Sequence, residues 1–298
     1  MVRGRGTAVR VGLVFGAGGL PGEAFHRGVL RALLDVEGVD ARQADVVVGT
    51  SVGSLVAASL RAPRARAVPL VEPAPAAMAS PRQLPLPDVM ALARYALRPW
   101  RARPAAVTAA LLPPGSRDSA VPHELLRRRY GTGWPRRTTW VVAARRRDGR
   151  RVVFGRDRHD VDIATAVAAS CAIPGYFRPV RVDGDSYVDG AVHSPTNADL
   201  LAGEGLDLVV VSAPLGVRPR PARPVLDLPL RLAWHTQLAF EAAAIRRKGT
   251  EVLTVEPAGP VLRALGISPM HALRIDEVED LAYDHTVALL SRRSARAA

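Results

Sequence analysis

The stretch Asp45-Val46-Val47-Val48-Gly49-Thr50-Ser51-Val52-Gly53-Ser54-Leu55 decides the architecture. A short β-branched run ends in Gly-x-Ser-x-Gly, and small residues suited to a helix (Ser54, Ala57, Ala58) follow. That order predicts strand, sharp turn and helix, the context in which a serine hydroxyl is presented as a nucleophile. The turn places Ser51 in a strained backbone conformation. Gly49 and Gly53 are required because side chains there would collide where strand and helix approach.

Upstream, residues 9–15 (Val-Arg-Val-Gly-Leu-Val-Phe) read as a first strand. The glycine-rich turn Gly16-Ala17-Gly18-Gly19-Leu20-Pro21-Gly22 comes next, then a helix over 23–34 with apolar residues near helical spacing. Strand, helix and strand make a βαβ unit, which predicts a parallel sheet with the site at the carboxyl ends of its strands. The turn does not suit a dinucleotide. Its glycine spacing is one residue too long, and the second strand ends in Gly49-Thr50-Ser51 where a ribose-binding acid is needed.

Downstream, strands are expected over 139–144, 151–154, 180–182, 186–188, 208–211 and 251–255. Helices are expected over 162–170, 230–247 and 276–293. Between the two regular regions, residues 61–138 are rich in Pro, Arg and Ala. They read as an insertion in a single domain spanning 1–298, a lid or a membrane-facing region. Helical patches fall at 88–97 and 123–130, and the apolar and basic mixture around Leu92, Tyr95, Arg98, Trp100 and Arg103 suits either a lipid surface or a core-packed helix.

Composition sets the remaining bounds. The 298 residues are 48% hydrophobic and only 5% aromatic, so Ala, Val and Leu must fill the core. The net charge is +13, carried almost wholly by arginine, since Lys248 is the only lysine. Such an excess favours phosphate-bearing partners, but the arginines are spread along the chain and no nucleic-acid motif accompanies them. A specific nucleic-acid partner is therefore not expected. A single cysteine, Cys171, excludes an intramolecular disulfide and points to a reducing compartment. Neither a signal-peptide core nor a run of eighteen apolar residues is present, which predicts a cytoplasmic protein with at most peripheral contact with an anionic membrane. No Cys/His cluster resembles a metal site, and no cofactor is expected.

A nucleophilic serine needs a base and an oxyanion site. Backbone N–H groups of Gly18 and Gly19, at the start of a helix, are suited to the second role. The base is less obvious. His271 or His285 would fit the chain order of an α/β-hydrolase triad, but that fold places several strands before its elbow and here one precedes it.

Three motifs in order carry a different resemblance: the glycine-rich turn, Gly49-Thr50-Ser51-Val52-Gly53, and Asp189-Gly190-Ala191. The segment Ala169-Ser170-Cys171-Ala172-Ile173-Pro174-Gly175-Tyr176-Phe177 precedes the last. Over roughly residues 9–60 and 139–215 the chain resembles the patatin-like phospholipases. That resemblance implies a three-layer α/β/α sandwich with a mostly parallel central sheet, and hydrolysis of lipid acyl esters by a Ser–Asp dyad without histidine. By position, Ser51 would be the nucleophile, Asp189 the proton acceptor, Gly18 and Gly19 the oxyanion donors, and Gly49, Gly53 and Gly190 the motif glycines. Two positions depart from the family pattern: Ala17 replaces a common glycine, and Pro21 replaces an arginine. Acyl transfer would use the same residues. A non-catalytic basic protein binding lipid or nucleic acid on the same scaffold is the competing expectation.

Overall fold

The computed structural model describes residues 9–62, 115, 118, 123–218, 227–266 and 274–297. Strands β1 (Val11–Phe15) and β2 (Val46–Thr50) pair in parallel and are joined by helix α1 (Gly19–Glu37). Their apolar residues serve both faces of the sheet by simple alternation. Leu13, Phe15 and Val47 pack with Phe25, Val29 and Leu33 of α1, whereas Val14, Val46 and Val48 enter a second cluster on the other face. Burial on both faces is why these strands read as continuous apolar runs.

Helix α2 (Val52–Arg61) follows β2 directly. Helix α3 (His123–Tyr130) buries Leu126 and Tyr130, and the Tyr130 hydroxyl donates to Leu55 O at 3.1 Å, so this end of the predicted insertion packs on the core. The helix expected over 88–97 and the apolar and basic stretch around 92–103 lie outside the described residues. Strand β3 (Thr138–Arg145) joins β2 in parallel, and β4 (Arg151–Phe154) returns beside it as a hairpin.

After helix α4 (Ile163–Ser170), β5 (Val180–Val182) and β6 (Asp185–Asp189) form an antiparallel pair. On the other side of β1, β7 (Leu208–Ser212) and β8 (Glu251–Val255) extend the sheet in parallel, with helix α5 (Leu228–Arg246) between them in sequence. Helices α6 (Gly259–Leu265) and α7 (Ile275–Ala297) complete the described chain.

The sheet order is β5-β6-β3-β2-β1-β7-β8, with β4 on β3. Residues of α1, α2, α6 and α7 share one core cluster, and Leu238, Ala242 and Ile245 of α5 cover the opposite face. The architecture is thus a three-layer α/β/α sandwich around a mostly parallel sheet.

One detail of register positions the site. Val141 and Val142 of β3 pair with β2 on one side and β4 on the other. Ala143 and Ala144 pair with β4 and with β6, so β6 takes the side that β2 has just vacated. Strands β2 and β6 therefore run toward each other along the same edge of β3, and their ends meet.

Two elements depart from the sequence expectation. Helix α1 begins at Gly19, four residues before the expected start, because Pro21 falls in the first turn, where a missing N–H removes no helical bond. Helix α6 was not foreseen. It is short, and Gly259-Pro260 at its start reads in sequence as a turn.

Candidate active site

Ser51 occupies the turn between β2 and α2 with φ 56° and ψ −126°, a conformation that side chains other than glycine rarely adopt. Such a backbone costs roughly 1–3 kcal/mol and persists only where its surroundings over-determine it. Here two serines hold it. The Ser51 N–H donates to Ser170 Oγ at 2.9 Å, and Ser170 Oγ donates to Val142 O at 2.6 Å. From the other side, Ser54 Oγ donates to Ser51 O at 2.6 Å.

The flanking glycines are required by close backbone approach. A Cβ at Gly53 would lie 2.0 Å from Phe15 O, and one at Gly49 would lie 2.5 Å from Gly53 O. The collision expected from the sequence is therefore present at both positions.

Asp189 ends β6 and is 3% exposed. Its Oδ1 accepts from Ala191 N at 2.8 Å, and its own N–H donates to Ala172 O at 3.0 Å. Burial raises its pKa to about 6, while hydrogen bonding from the Ser51 side chain and the Ala191 N–H pulls in the opposite direction. The Ser51 side chain and the Asp189 carboxylate are therefore neighbours. At Gly190 a Cβ would lie 2.4 Å from Val142 O and 3.1 Å from Thr50 Cγ2, so this glycine lets the two strand ends abut.

Gly18 caps α1, and Gly19 follows with φ 61°. Their N–H groups bond no acceptor among the described residues, whereas the neighbouring Gly16 and Ala17 N–H groups are spent on Ser212 O and Pro195 O. Gly18, Gly19 and Ser51 line a common cavity of about 270 Å³, with Leu230, Trp234 and Leu265 on its apolar walls. Gly18 and Gly19 thus line the same cavity as Ser51 at the positive end of a 19-residue helix. Ala17 donates through its backbone, and Pro21 sits where no donor is needed.

Several residues that build this site were not foreseen. His26, on α1, is fully buried. Its Nε2 bonds Gly16 O at 2.8 Å and its Nδ1 bonds Ser212 Oγ at 2.7 Å. A carbonyl can only accept, so Nε2 carries the proton and Nδ1 accepts from the serine. Burial lowers the His26 pKa to about 4, which keeps the ring neutral and the glycine turn tied to β7.

Glu241 of α5 accepts from Ser194 Oγ and Thr196 Oγ1, each at 2.6 Å, and from Ala198 N at 2.8 Å. That fixes the loop whose Pro195 O holds Ala17 and whose Asn197 Nδ2 reaches Thr50 Oγ1 at 3.2 Å. Arg231, 3% exposed, bonds Asp227, Pro214 O, Gly216 O and Gly266 O and so joins three segments of the cavity wall. Of the residues that support the site, only Ser54 and Ser170 lie inside stretches singled out in the sequence. The others are single polar residues in apolar helices or in a loop, and their partners are distant in sequence.

His285 and His235 are engaged with Glu256. His285 Nε2 bonds Glu256 O at 2.9 Å, and His235 Nδ1 bonds Glu256 Oε2 at 2.8 Å. His271 lies outside the described residues. Among the described residues no group of three His, Cys, Asp or Glu side chains is placed to hold a metal ion, and no helix is long and apolar enough to cross a membrane. Cys171 is buried 3.8 Å from Ser54 Oγ, and burial, with the charge of Asp189, pushes its thiol pKa upward.

Comparison with known proteins agrees with the motifs. A family model described as patatin-like phospholipase matches residues 13–202, well over half of the chain. Among solved structures, VipD from Legionella pneumophila is 13% identical with a TM-score of 0.44, the match covering 95% of this chain and 67% of that one. The type III effector protein ExoU is 18% identical with a TM-score of 0.38, covering 95% of this chain and 53% of that one. This chain therefore spans about half the length of ExoU.

Proposed function

The chain belongs to the patatin-like phospholipase family, and from that premise we propose that it is a serine acyl hydrolase that cleaves lipid acyl esters with Ser51 and Asp189. The observation that carries this reading is a strained serine beside a buried carboxylate whose pKa is raised to about 6. A carboxylate of ordinary acidity is a poor base for a hydroxyl. One destabilised by burial gains more by taking the proton, and at neutral pH it is still ionised.

In the proposed sequence, Asp189 takes the Ser51 proton as Oγ attacks the ester carbonyl carbon. The carbonyl oxygen becomes an oxyanion, held by the Gly18 and Gly19 N–H groups. Collapse of the tetrahedral species breaks the bond to the alcohol, which leaves with the proton from Asp189. Water then attacks the acyl-Ser51 ester, with Asp189 again taking a proton and returning it to Ser51 as the fatty acid departs. The apolar walls at Leu230, Trp234 and Leu265 suit an acyl chain, and the half-exposed Leu230 supports delivery of that chain from a lipid surface.

Hydrolysis of p-nitrophenyl acyl esters tests the reading. The wild-type chain should turn over and Ser51→Ala should not. Equal turnover by the two proteins, or none by folded wild type against any acyl chain length, would remove it.

A further inference from the structure

At the far end of α2 from Ser51 lies a second cavity, of about 490 Å³. Ten helical residues separate the two ends, roughly 15 Å along the axis. Among the described residues, the charged groups lining this cavity are Arg42, Arg61, Arg136 and Arg137, with no carboxylate. Their hydrogen bonds go to neutral acceptors. Arg61 donates to Arg42 O and Ala44 O, both at 2.6 Å, and Arg137 donates to Gln43 O at 2.8 Å and Gln43 Oε1 at 2.6 Å. Arg61 is 9% exposed, and its Nε has no partner among the described residues.

The two acids that flank Arg42 in sequence are committed. Asp45 accepts from Val11 N at 2.8 Å and lies 3.7 Å from Arg10, and Asp40 accepts from Arg42 N at 2.9 Å. Burial and the charge of Arg137 lower the Arg61 pKa to about 10, with Asp45 only partly offsetting them. Arg61 is buried and Arg42, Arg136 and Arg137 are exposed around it, so the cavity carries a local excess of positive charge that attracts anions. Guanidinium groups match phosphate oxygens in geometry as well as charge. The rings of Tyr130 and Trp134 also line the cavity and offer a wall for an organic portion of the ligand.

We propose that this arginine-lined pocket is a binding site for a phosphate-bearing ligand, separate from the Ser51 cavity. The site does not depend on the reading of Ser51 as a catalytic residue, and Ser51→Ala should bind as the wild type does.

The test is calorimetric titration with pyrophosphate, together with co-sedimentation on phosphatidylcholine vesicles with and without phosphatidic acid. Wild type, Ser51→Ala and the double variant Arg42→Gln/Arg136→Gln are compared. Arg42 and Arg136 are chosen because neither side chain is bonded among the described residues, whereas Arg61 holds two backbone carbonyls. We expect saturable binding that the double variant weakens about tenfold or more, with circular dichroism unchanged. Binding of free pyrophosphate assigns the site to soluble phosphates, and binding only on phosphatidic acid vesicles assigns it to a lipid headgroup. Either sustains the proposal. No binding in both assays, or binding that the double variant leaves intact, overturns it.

Discussion

Thr50 and Asp189 meet end to end on one edge of β3: Thr50 pairs with Val142 in parallel, and Asp189 pairs with Ala143, the next residue, in antiparallel. Two strands that arrive from opposite directions thus deliver Ser51 and a carboxylate to the same point. The relationship is set by main-chain register, so the placement of the pair does not depend on long, flexible side chains. In the proposed dyad, this register is what would put an aspartate where many serine hydrolases place a histidine.

The junction closes only because Gly190 has no side chain. With the added Cβ 2.4 Å from Val142 O and 3.1 Å from Thr50 Cγ2, Gly190→Ala must shift the end of β6 away from β3 and crowd the end of β2. A misplacement of about 1 Å in a reacting pair costs about a hundredfold in rate. Ester turnover by Gly190→Ala should fall by that order, mainly in kcat. An unchanged kcat would show that the strand junction does not set the geometry of the pair.

Ser170 supports the strained elbow through the Ser51 N–H. Ser170→Ala leaves that buried donor, and Val142 O, without the hydroxyl. The expected loss of stability is about 1–3 kcal/mol by chemical denaturation, with a drop in kcat and little change in KM. A variant as stable and active as wild type would remove Ser170 from this role.

The raised pKa of Asp189 has two consequences of opposite sign. Activity needs the carboxylate, so kcat/KM should rise with pH through about 6. Stability changes the other way. A folded-state pKa near 6 against an ordinary 3.8 means that the folded chain holds the proton more tightly, so burying Asp189 costs stability above pH 6 and nothing below about pH 4. Asp189→Asn should therefore be inactive yet about 3 kcal/mol more stable at neutral pH. An inactive but destabilised variant would contradict the burial argument.

His26 gives the converse slope. Its folded-state pKa of about 4 lies below the ordinary 6.5, so its contribution is complete above pH 6.5 and is lost as pH falls toward 4. Over pH 4–6 the two residues nearly cancel in the wild type and separate in variants. In Asp189→Asn, stability should fall on acidification by about 3 kcal/mol. In His26→Gln, whose amide offers a donor and an acceptor for the same partners, it should rise. Parallel pH profiles for the two variants would show that neither residue titrates in this way.

Much of this site was legible in the sequence because its principal parts are local. Gly49 to Gly53 declares an elbow by composition alone, and the glycine turn follows a strand within a few residues. Asp189 is different. An Asp-Gly pair between short strands reads as a turn, and only resemblance to a family linked it to Ser51. The register that joins them runs through β3, whose sequence of apolar residues carries no sign of having three partners. His26, Glu241 and Arg231 were illegible for the same reason. Each is one polar residue in a helix, and its meaning lies in carbonyls and hydroxyls from distant parts of the chain. The early start of α1 was hidden by Pro21, which reads as a breaker but is harmless in a first turn.

Covalent labelling reads out whether Ser51 is a nucleophile activated by Asp189. The folded protein is treated with a fluorophosphonate at neutral pH, and the adduct is located by peptide mass spectrometry in wild type and in Asp189→Asn. A stoichiometric adduct is expected on Ser51 in the wild type, with labelling slowed by at least about a hundredfold in the variant. Absence of an adduct on Ser51 in the folded wild type, or equal labelling rates in the two proteins, would contradict it.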